Sequence, residues 1–186
     1  MKGLWIVTGV ITLFGCFIAE AFDCGYIGYR GCGIAQIEQI GSFNSAYIEQ
    51  ATISRASILQ EGINNIATIK QNLSSIGSNA EIFQQGSKNT AYQMQSAMQN
   101  FAYAQQTGFF NSTTQIQVGS NNSVSAIQYG AGNKATQIQL TSYNTASVIQ
   151  IGFFNVSFQI QGVQGTNGNS SNLMQVGVGK VKVVFQ

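Results

Sequence analysis

The sequence predicts an all-β fold: a β-solenoid of stacked strand-arc-strand coils, about 22 residues each, that forms cross-β amyloid. The pattern Q-x-G-x-x-N-x-A-x-h-x-Q, where h is apolar, recurs in steps of about eleven residues from Gln39, and a fixed short period indicates stacked units. The chain is 8% charged and contains no proline and no histidine, which suits uninterrupted strands. Its richness in Gln and Asn is typical of cross-β amide ladders.

Residues 1–21 are predicted to be a signal peptide. Lys2 provides a basic start, LWIVTGVITLFGCFIA an apolar run, and Ala19-Glu20-Ala21 a small-x-small cleavage pattern. Cleavage after Ala21 would give a secreted, extracellular protein. A membrane anchor and lipidation at Cys16 are the alternatives, but the apolar run is short for a span and Phe14 is bulky for a lipidation motif.

Residues 22–34 are expected to form a glycine-rich leader. Cys24 and Cys32 lie close together, and exported proteins usually oxidise such pairs, so a disulfide is predicted. A metal site is the alternative, although it would require more ligands than two cysteines.

Residues 35–175 are predicted to form the repeat solenoid. Side chains two apart share a face of a strand, so Asn44, Ala46, Ile48 and Gln50 are assigned to the interior. Most charged residues of the repeats then point outward, as the cost of burying a charge requires. Arg55 is the exception, because counting forward from Gln50 places it at an Asn position.

Stacked coils would align identical interior amides, each donating to one neighbouring coil and accepting from the other. The expected structural ladder comprises Gln39, Gly41, Asn44, Ala46, Gln50, Gln60, Gly62, Asn65, Ala67, Gln71, Gln84, Gly86, Asn89, Ala91, Gln95, Gln106, Gly108, Asn111, Gln117, Gly119, Asn122, Gln128, Gly130, Asn133, Ala135, Gln139, Asn144, Ala146, Gln150, Gly152, Asn155 and Gln161.

The glycines of this set are expected to begin the arcs with a positive φ, and the asparagines three residues later to tolerate the left-handed conformation. Alternate units often lack the glycine, as at Thr52, Ala97 and Thr141, so the two arcs of a coil are not equivalent.

Isoleucines that precede the closing glutamine should point outward in the C-terminal half and form one apolar stripe on each face: Ile116, Ile127, Ile138, Ile149 and Ile160. The alternative is a local bulge that turns Ile116, Ile138 and Ile160 into the core.

Residues 176–186 form a divergent basic terminal repeat. Lys180 and Lys182 replace the interior Asn and Ala, so this unit is expected either to slip register, turning Val181 and Val183 inward, or to stay unpacked until it meets a partner. The lysines are interpreted as a charged cap on an exposed edge or as a contact to another subunit.

The doubled pattern after an export signal resembles the curlin repeat of bacterial curli fibre subunits, over about residues 35 to 161. The resemblance implies a subunit, major or nucleating, that polymerises into extracellular functional amyloid for biofilm matrix and adhesion. It also implies three partners: further copies of the chain, a second curlin-type subunit and outer-membrane secretion machinery. The leader with Cys24 and Cys32 does not look like that of the well-known subunits.

The sequence offers no catalytic constellation, cofactor site or metal site, since it has no histidine and its glutamates are scattered singly. No small-molecule substrate is therefore expected, and a net charge of +2 argues against a nucleic-acid partner. The alternative function is a secreted monomeric β-solenoid that binds a surface or ligand through its outer face.

Overall fold

The computed structural model describes residues 5–10, 15–23, 33–50, 53–72, 74–163 and 165–186, the first two ranges as backbone only. These ranges form sixteen strands. The strands are β1 (Trp5–Val10), β2 (Gly15–Asp23), β3 (Gly33–Ser42), β4 (Ser45–Gln50), β5 (Arg55–Ile63), β6 (Ile66–Gln71), β7 (Asn79–Ser87), β8 (Thr90–Gln95), β9 (Phe101–Phe109), β10 (Ser112–Gln117), β11 (Ser123–Ala131), β12 (Lys134–Gln139), β13 (Thr145–Phe153), β14 (Val156–Gln161), β15 (Ser170–Val178) and β16 (Val181–Phe185).

The strands form two eight-stranded sheets that face each other across the core. The short-strand sheet has the order β1-β4-β6-β8-β10-β12-β14-β16, and the long-strand sheet has the order β15-β13-β11-β9-β7-β5-β3-β2. From β3 to β16, each long strand and the short strand that follows it make one coil, and equivalent strands of successive coils pair in parallel. Seven coils therefore stack into a β-solenoid about 30 Å long, which confirms the predicted fold class.

Strands β1 and β2 lie in the segment expected to be a signal peptide, apart from the last residues of β2. They pair antiparallel with β4 and β3, whereas the strands of the seven coils pair in parallel. They therefore cover the N-terminal end of the column. Cys24 and Cys32 lie outside the described residues.

Burial alternates along the coil strands as the sequence pattern predicts, with Ala46, Ile48 and Gln50 buried and the residues between them partly exposed. The interior changes along the column. In the first coils isoleucines face each other, as Ile37 and Ile48 do, and they belong to one apolar cluster. In later coils a glutamine takes the place of the short-strand isoleucine, and alanine or valine stands on the long strand. The core thus changes from aliphatic to amide-rich towards the C terminus.

The two arcs of a coil obey different length rules. The arc that follows each long strand, here named the glycine arc, always separates consecutive ladder glutamines by 11 residues, from 39 to 50 as from 175 to 186. The arc that follows each short strand, the variable arc, separates them by 10 residues from 50 to 60, by 13 from 71 to 84, and by 14 from 161 to 175. All the length variation of the column is therefore confined to one edge.

The glycine arc is built on two residues with positive φ. The glycines that end each long strand have φ between 115° and 121°, as at Gly41 and Gly108. The sequence predicted that the second left-handed residue is the asparagine, but it is the residue before it, such as Phe43 or Asn64. The asparagine itself is already extended, and its side chain bonds inward. The prediction of a positive φ is also wrong for Gly119, which lies in a variable arc where Asn121 takes that conformation.

Arg55 is not at an Asn position. The variable arc before it is one residue shorter than most, so the buried Ser54 occupies that position and Arg55 is exposed on the outer face. The register confirms the shift, since Arg55 pairs with Asn79 at the outward start of the next long strand. Arg55 was therefore predicted to be an inward charge only because the positions were counted forward across a shortened arc.

Ile116, Ile138 and Ile160 point outward, and the glutamines before them are buried. The alternative of a local bulge that buries these isoleucines is not what the structure shows. The terminal unit also keeps the register of the repeat, because Val181 pairs with Val156 and Lys182 with Ser157. The predicted slip that would turn Val181 and Val183 inward is therefore wrong: both are exposed, at 68% and 53%.

Candidate functional site: amide ladders and column ends

A ladder of glutamine side chains runs the length of the long-strand sheet. The Nε2 of each glutamine donates to Oε1 of the equivalent glutamine in the next coil, from Gln39 to Gln175, at 2.6 to 2.9 Å. Each Nε2 after the first also donates across the coil to a carbonyl of the short strand, as Gln106 does to Thr90. Both amide hydrogens are therefore used inside the column, which a buried amide requires.

A second ladder runs along the short-strand sheet from Gln71 to Gln186, at 2.8 to 3.0 Å. Gln50 is outside it, because its Nε2 donates to the carbonyl of Ser54 in the shortened arc. The Oε1 of Gln71 consequently has no hydrogen-bond partner among the described residues. This ladder begins one coil later than the sequence predicts.

A third ladder was missed by the sequence analysis. Gln93, Gln115, Gln137 and Gln159 stack at the apolar position of the pattern, at 2.8 to 2.9 Å. Each also donates to a carbonyl of the opposite long strand, as Gln115 does to Tyr103. The signal in the sequence was a glutamine in place of the apolar residue h in four consecutive short strands, β8, β10, β12 and β14. On the facing long strands the small residues Ala104 and Ala126 appear from the second of these coils.

The asparagines of the glycine arc form a ladder of opposite polarity. The Oδ1 of each accepts the backbone N–H of the equivalent residue in the next coil, as Asn89 does from Asn111 at 3.1 Å. The Nδ2 donates to the carbonyl of the glycine in that next coil, as Asn89 does to Gly108 at 3.0 Å. These side chains thus join each coil to its neighbour through the backbone. The predicted ladder glutamines and asparagines are all at most 5% exposed.

The glycines of the glycine arc approach one another too closely for any side chain. A Cβ on Gly108 would lie 2.0 Å from the carbonyl oxygen of Gly130, and similar distances hold from Gly41 to Gly152. Glycine is therefore needed here both for its φ and for the stacking of the next coil.

The two ends of the column carry complementary halves of the long-strand ladder. At the N-terminal end, the Oε1 of Gln39 has no hydrogen-bond partner within the described part of the chain. At the C-terminal end, the Nε2 of Gln175 donates to the carbonyls of Val156 and Lys180, whereas Gln150 below it also donates to the next glutamine. One end therefore presents an unused acceptor, and the other an amide with no glutamine above it.

The C-terminal end also carries Lys180 and Lys182, both exposed. The backbone N–H of Lys180 donates to Asn155 Oδ1, so the lysine keeps the backbone contact of the asparagine ladder but has no side-chain oxygen to continue it. Its Cε lies 3.5 Å from where a Cβ of Gly177 would be. The lysine side chain therefore lies over the arc on which a further coil would stack.

Charges on the outer face of the short-strand sheet concentrate near the N-terminal end. Lys70 pairs with Glu49 at 3.4 Å, and the hydroxyl of Tyr47 donates to the same carboxylate at 3.2 Å. Burial and the neighbouring Glu49 raise the pKa of Tyr47, and Lys70 partly opposes this. This exposed network places charged and polar side chains on the outer face of the first two short strands, beside the exposed Ile66.

A family model matches coil five of this column and the long strand of coil six. The model of the curlin-associated repeat matches residues 119–152, which include β11, β12 and all of β13 except its last residue. The chain carries a curlin-associated repeat. The curlin repeat supplies ladder residues such as Gln128, Asn133 and Gln150 within the matched segment, and the same ladders continue on both sides of it. No curated protein and no solved structure matches the chain.

The matched repeat and the solenoid fold describe a structural protein rather than an enzyme. Among the described residues, no group of three or more His, Cys, Asp or Glu side chains could hold a metal ion. The same residues include no helix long and apolar enough to cross a membrane.

Proposed function

We propose that this chain is a secreted curli-type subunit that polymerises end to end into extracellular amyloid fibres of a biofilm matrix used for surface adhesion. The carrying observation is the complementarity of the column ends: among the described residues the Oε1 of Gln39 has no donor at one end, and at the other end the Nε2 of Gln175 has no glutamine above it. A second copy stacked on the C-terminal end would continue this ladder once the Nε2 of Gln175 exchanges its bond to the Lys180 carbonyl for one to the incoming Gln39, the contact that Gln150 makes to Gln175. Because the joined surfaces differ and each copy stacks along the axis of the one before it, the contacts repeat without closing and give a filament.

The position of β1 and β2 fits this proposal. They cover the N-terminal end with antiparallel strands, so cleavage after Ala21 would remove β1 and most of β2 and uncover β3 and β4. Exposed parallel strand edges are templates for further strands. Export with signal-peptide cleavage would thus produce the assembly-competent end outside the cell, and outer-membrane secretion machinery is the proposed route.

The repetitive interior and surface of the column also fit a fibre subunit. Its interior is filled by ladders, and its residues are repeated at a spacing of one coil, so the unit of recognition is another coil. A second curlin-type subunit with the same ladders would be recognised by the same end contacts. We therefore include such a subunit among the proposed partners.

Fibre formation by the purified protein lacking residues 1–21 tests the proposal. Thioflavin fluorescence should rise with time, electron microscopy should show unbranched fibres, and their diffraction should contain reflections at about 4.8 and 10 Å. A protein that stays monomeric at high concentration, with the β-rich circular dichroism of a folded column, would contradict polymerisation and favour the monomeric solenoid.

A further inference from the structure

The outer face of the short-strand sheet changes from charged to apolar along the column. Near the N-terminal end it carries the Glu49 and Lys70 pair. From the fourth coil onward, one group of aliphatic and aromatic side chains dominates the face, and we name it the apolar face: Ile116, Ile138, Val156, Phe158, Ile160, Val181, Val183 and Phe185.

This change mirrors the change in the core. In the first coil Ile48 is buried and Glu49 faces outward, whereas in the fourth coil Gln115 is buried and Ile116 faces outward. The isoleucines of the C-terminal half therefore contribute little to the interior of their own column. Phe185 is 62% exposed, and its ring meets the Phe158 ring edge-on, with ring centroids 6.0 Å apart. Contiguous exposed apolar surface of this kind marks an interaction site.

The long-strand sheet carries its apolar residues in a different arrangement. The start of each of its last strands is polar outside, with Ser125, Ser147 and Asn172, and the exposed apolar residues lie towards the glycine arc, as Tyr129, Ile151 and Val176 do. The short-strand sheet instead has apolar residues at all three outward positions of its last two strands, with Val156, Phe158 and Ile160 in β14. The two stripes predicted from the sequence are thus unequal.

We propose that the apolar face packs against the apolar face of a second copy of this chain and so pairs two fibres side by side. Its rows repeat at the spacing of the coils, about 4.8 Å, which an identical column matches over its whole length. Face-to-face sheets with interdigitated side chains are the packing seen in steric zippers. Over its four coils the apolar face has one charged residue, Lys134, at its border. The same sheet carries the Glu49 and Lys70 pair nearer the N-terminal end, and a pair of columns aligned out of step would bury these charges at a cost.

The size of the face indicates that single subunits do not pair. Four coils at about 4.8 Å and six residues at about 3.3 Å give roughly 400 Å². Stable interfaces bury about 800 Å² per partner, so one face is about half of what a lasting dimer needs. A fibre repeats the face once per subunit, and many weak contacts then act together. The inference therefore rests on the proposed polymerisation, and pairing is expected only between fibres.

The test compares two matched double variants of the protein lacking residues 1–21. Ile138→Thr with Ile160→Thr removes the apolar face at coils five and six, and Ile127→Thr with Ile149→Thr makes the same change at the same coils on the opposite sheet. Wild-type and control fibres should appear paired by cryo-electron microscopy, while I138T/I160T fibres should form at a similar rate but remain single. Pairing of I138T/I160T fibres as in the wild type, or equal loss in both variants, would overturn the proposal.

A second pair of variants keeps the proposal testable if I138T/I160T does not assemble. Thr136→Glu puts one charge per subunit at the centre of the apolar face, and Ser125→Glu does the same on the other sheet. T136E fibres should be single and S125E fibres paired; paired T136E fibres would contradict the proposal. A wild-type chain that forms no fibres at all would instead contradict the proposed polymerisation.

Discussion

The Nε2 of Gln106 donates a hydrogen bond of 2.9 Å to the Oε1 of Gln128, the equivalent glutamine one coil later. Gln128 in turn donates to Gln150 at 2.7 Å. A shift of one coil by one residue would place an apolar or exposed side chain at each of these positions and leave buried amides unpaired, at roughly 1 to 3 kcal/mol each. The ladder therefore fixes the alignment of the coils, and an incoming subunit has to adopt it.

Gln128→Glu should prevent the column from forming at neutral pH. A buried carboxylate cannot donate to Gln150, and losing one partner of a buried polar network costs about 3 to 5 kcal/mol. The replacement of all three of Gln106, Gln128 and Gln150 should be more severe, since like charges would stand about 5 Å apart. Loss of β-rich circular dichroism and of fibres measures the effect.

The control for this change is Gln105→Glu, which alters the outward neighbour of Gln106 in the same strand and should leave assembly intact. Burial raises the pKa of a carboxyl group, so the glutamate in Gln128→Glu becomes neutral as the pH falls and can donate again. Fibre formation by the Gln128→Glu variant should therefore recover in acid. Wild-type assembly kinetics in this variant at pH 7 would refute the stacked ladder.

Gly108→Ala should destabilise the column by several kcal/mol, because the new Cβ would lie 2.0 Å from the carbonyl oxygen of Gly130. Part of the cost is the positive φ, which is worth about 1 to 2 kcal/mol for a residue with a Cβ. Gly165→Ala separates the two terms, since Gly165 also has a positive φ, 73°, but no described residue lies within 4 Å of where its new Cβ would be. In guanidinium unfolding, Gly108→Ala should lose more stability than Gly165→Ala, by the cost of the clash with the next coil. Equal unfolding midpoints would show that neighbouring coils are not packed this closely.

Phe154→Asn should stabilise the column by about 1 kcal/mol. Phe154 is 65% exposed and adopts a φ of 55°, a conformation that asparagine tolerates better than phenylalanine. The equivalent position holds Asn64 in the second coil and Gly132 in the fifth. Phe153→Asn is the control, because Phe153 is also exposed but lies in a strand without positive φ. A lower unfolding midpoint for Phe154→Asn than for Phe153→Asn would show that the aromatic ring contributes more than the strain costs.

The fold could be predicted because its period is in the sequence and each coil meets only its neighbours. Inward and outward positions followed from alternation, as for Ala46 and Ile48. Ser54 could not be placed by counting, because the variable arcs differ in length and the arc before it is one residue short. The repeat positions of this segment could have been assigned correctly only by counting backward from Gln60.

The third ladder and the arc conformation required tertiary information. Gln115 stands where the pattern has an apolar residue. Its amide is accepted there because it bonds to the carbonyl of Tyr103 and to the stacked glutamines, and because the facing residue, Ala104, is small. The left-handed position was assigned to asparagine on propensity, but stacking uses the Asn side chain as a link between coils and leaves the strain to residues such as Phe43.

Replacement of Cys24 and Cys32 by serine should leave the cross-β diffraction at about 4.8 and 10 Å unchanged. The ladders begin at Gln39, after the leader that contains both cysteines. A disulfide there would affect the leader and not the stacked coils. Loss of the diffraction in the double serine variant would show that the leader belongs to the fibre core. When the full chain is expressed, Cys16→Ser is the control, because this cysteine lies in the segment expected to be removed.

Lys180→Asn combined with Lys182→Ala should speed fibre elongation and lower the concentration of soluble protein at the end point. These changes restore the residues that the first coil has at the same positions, Asn44 and Ala46. The asparagine would offer an Oδ1 to the backbone N–H of the next copy, as Asn155 does to Lys180. Removal of the lysines also avoids desolvating two ammonium groups when a copy stacks on this end.

Lys134→Ala is the control for this pair, because Lys134 is exposed on the outer face and not at a column end. It should leave the elongation rate, measured by thioflavin fluorescence on preformed seeds, unchanged. Faster growth of the Lys180→Asn, Lys182→Ala variant identifies the lysines as a cap that slows stacking. Slower growth would identify them as a contact to the incoming subunit, since the variant would then lose binding energy at the joint although its ladder is more complete.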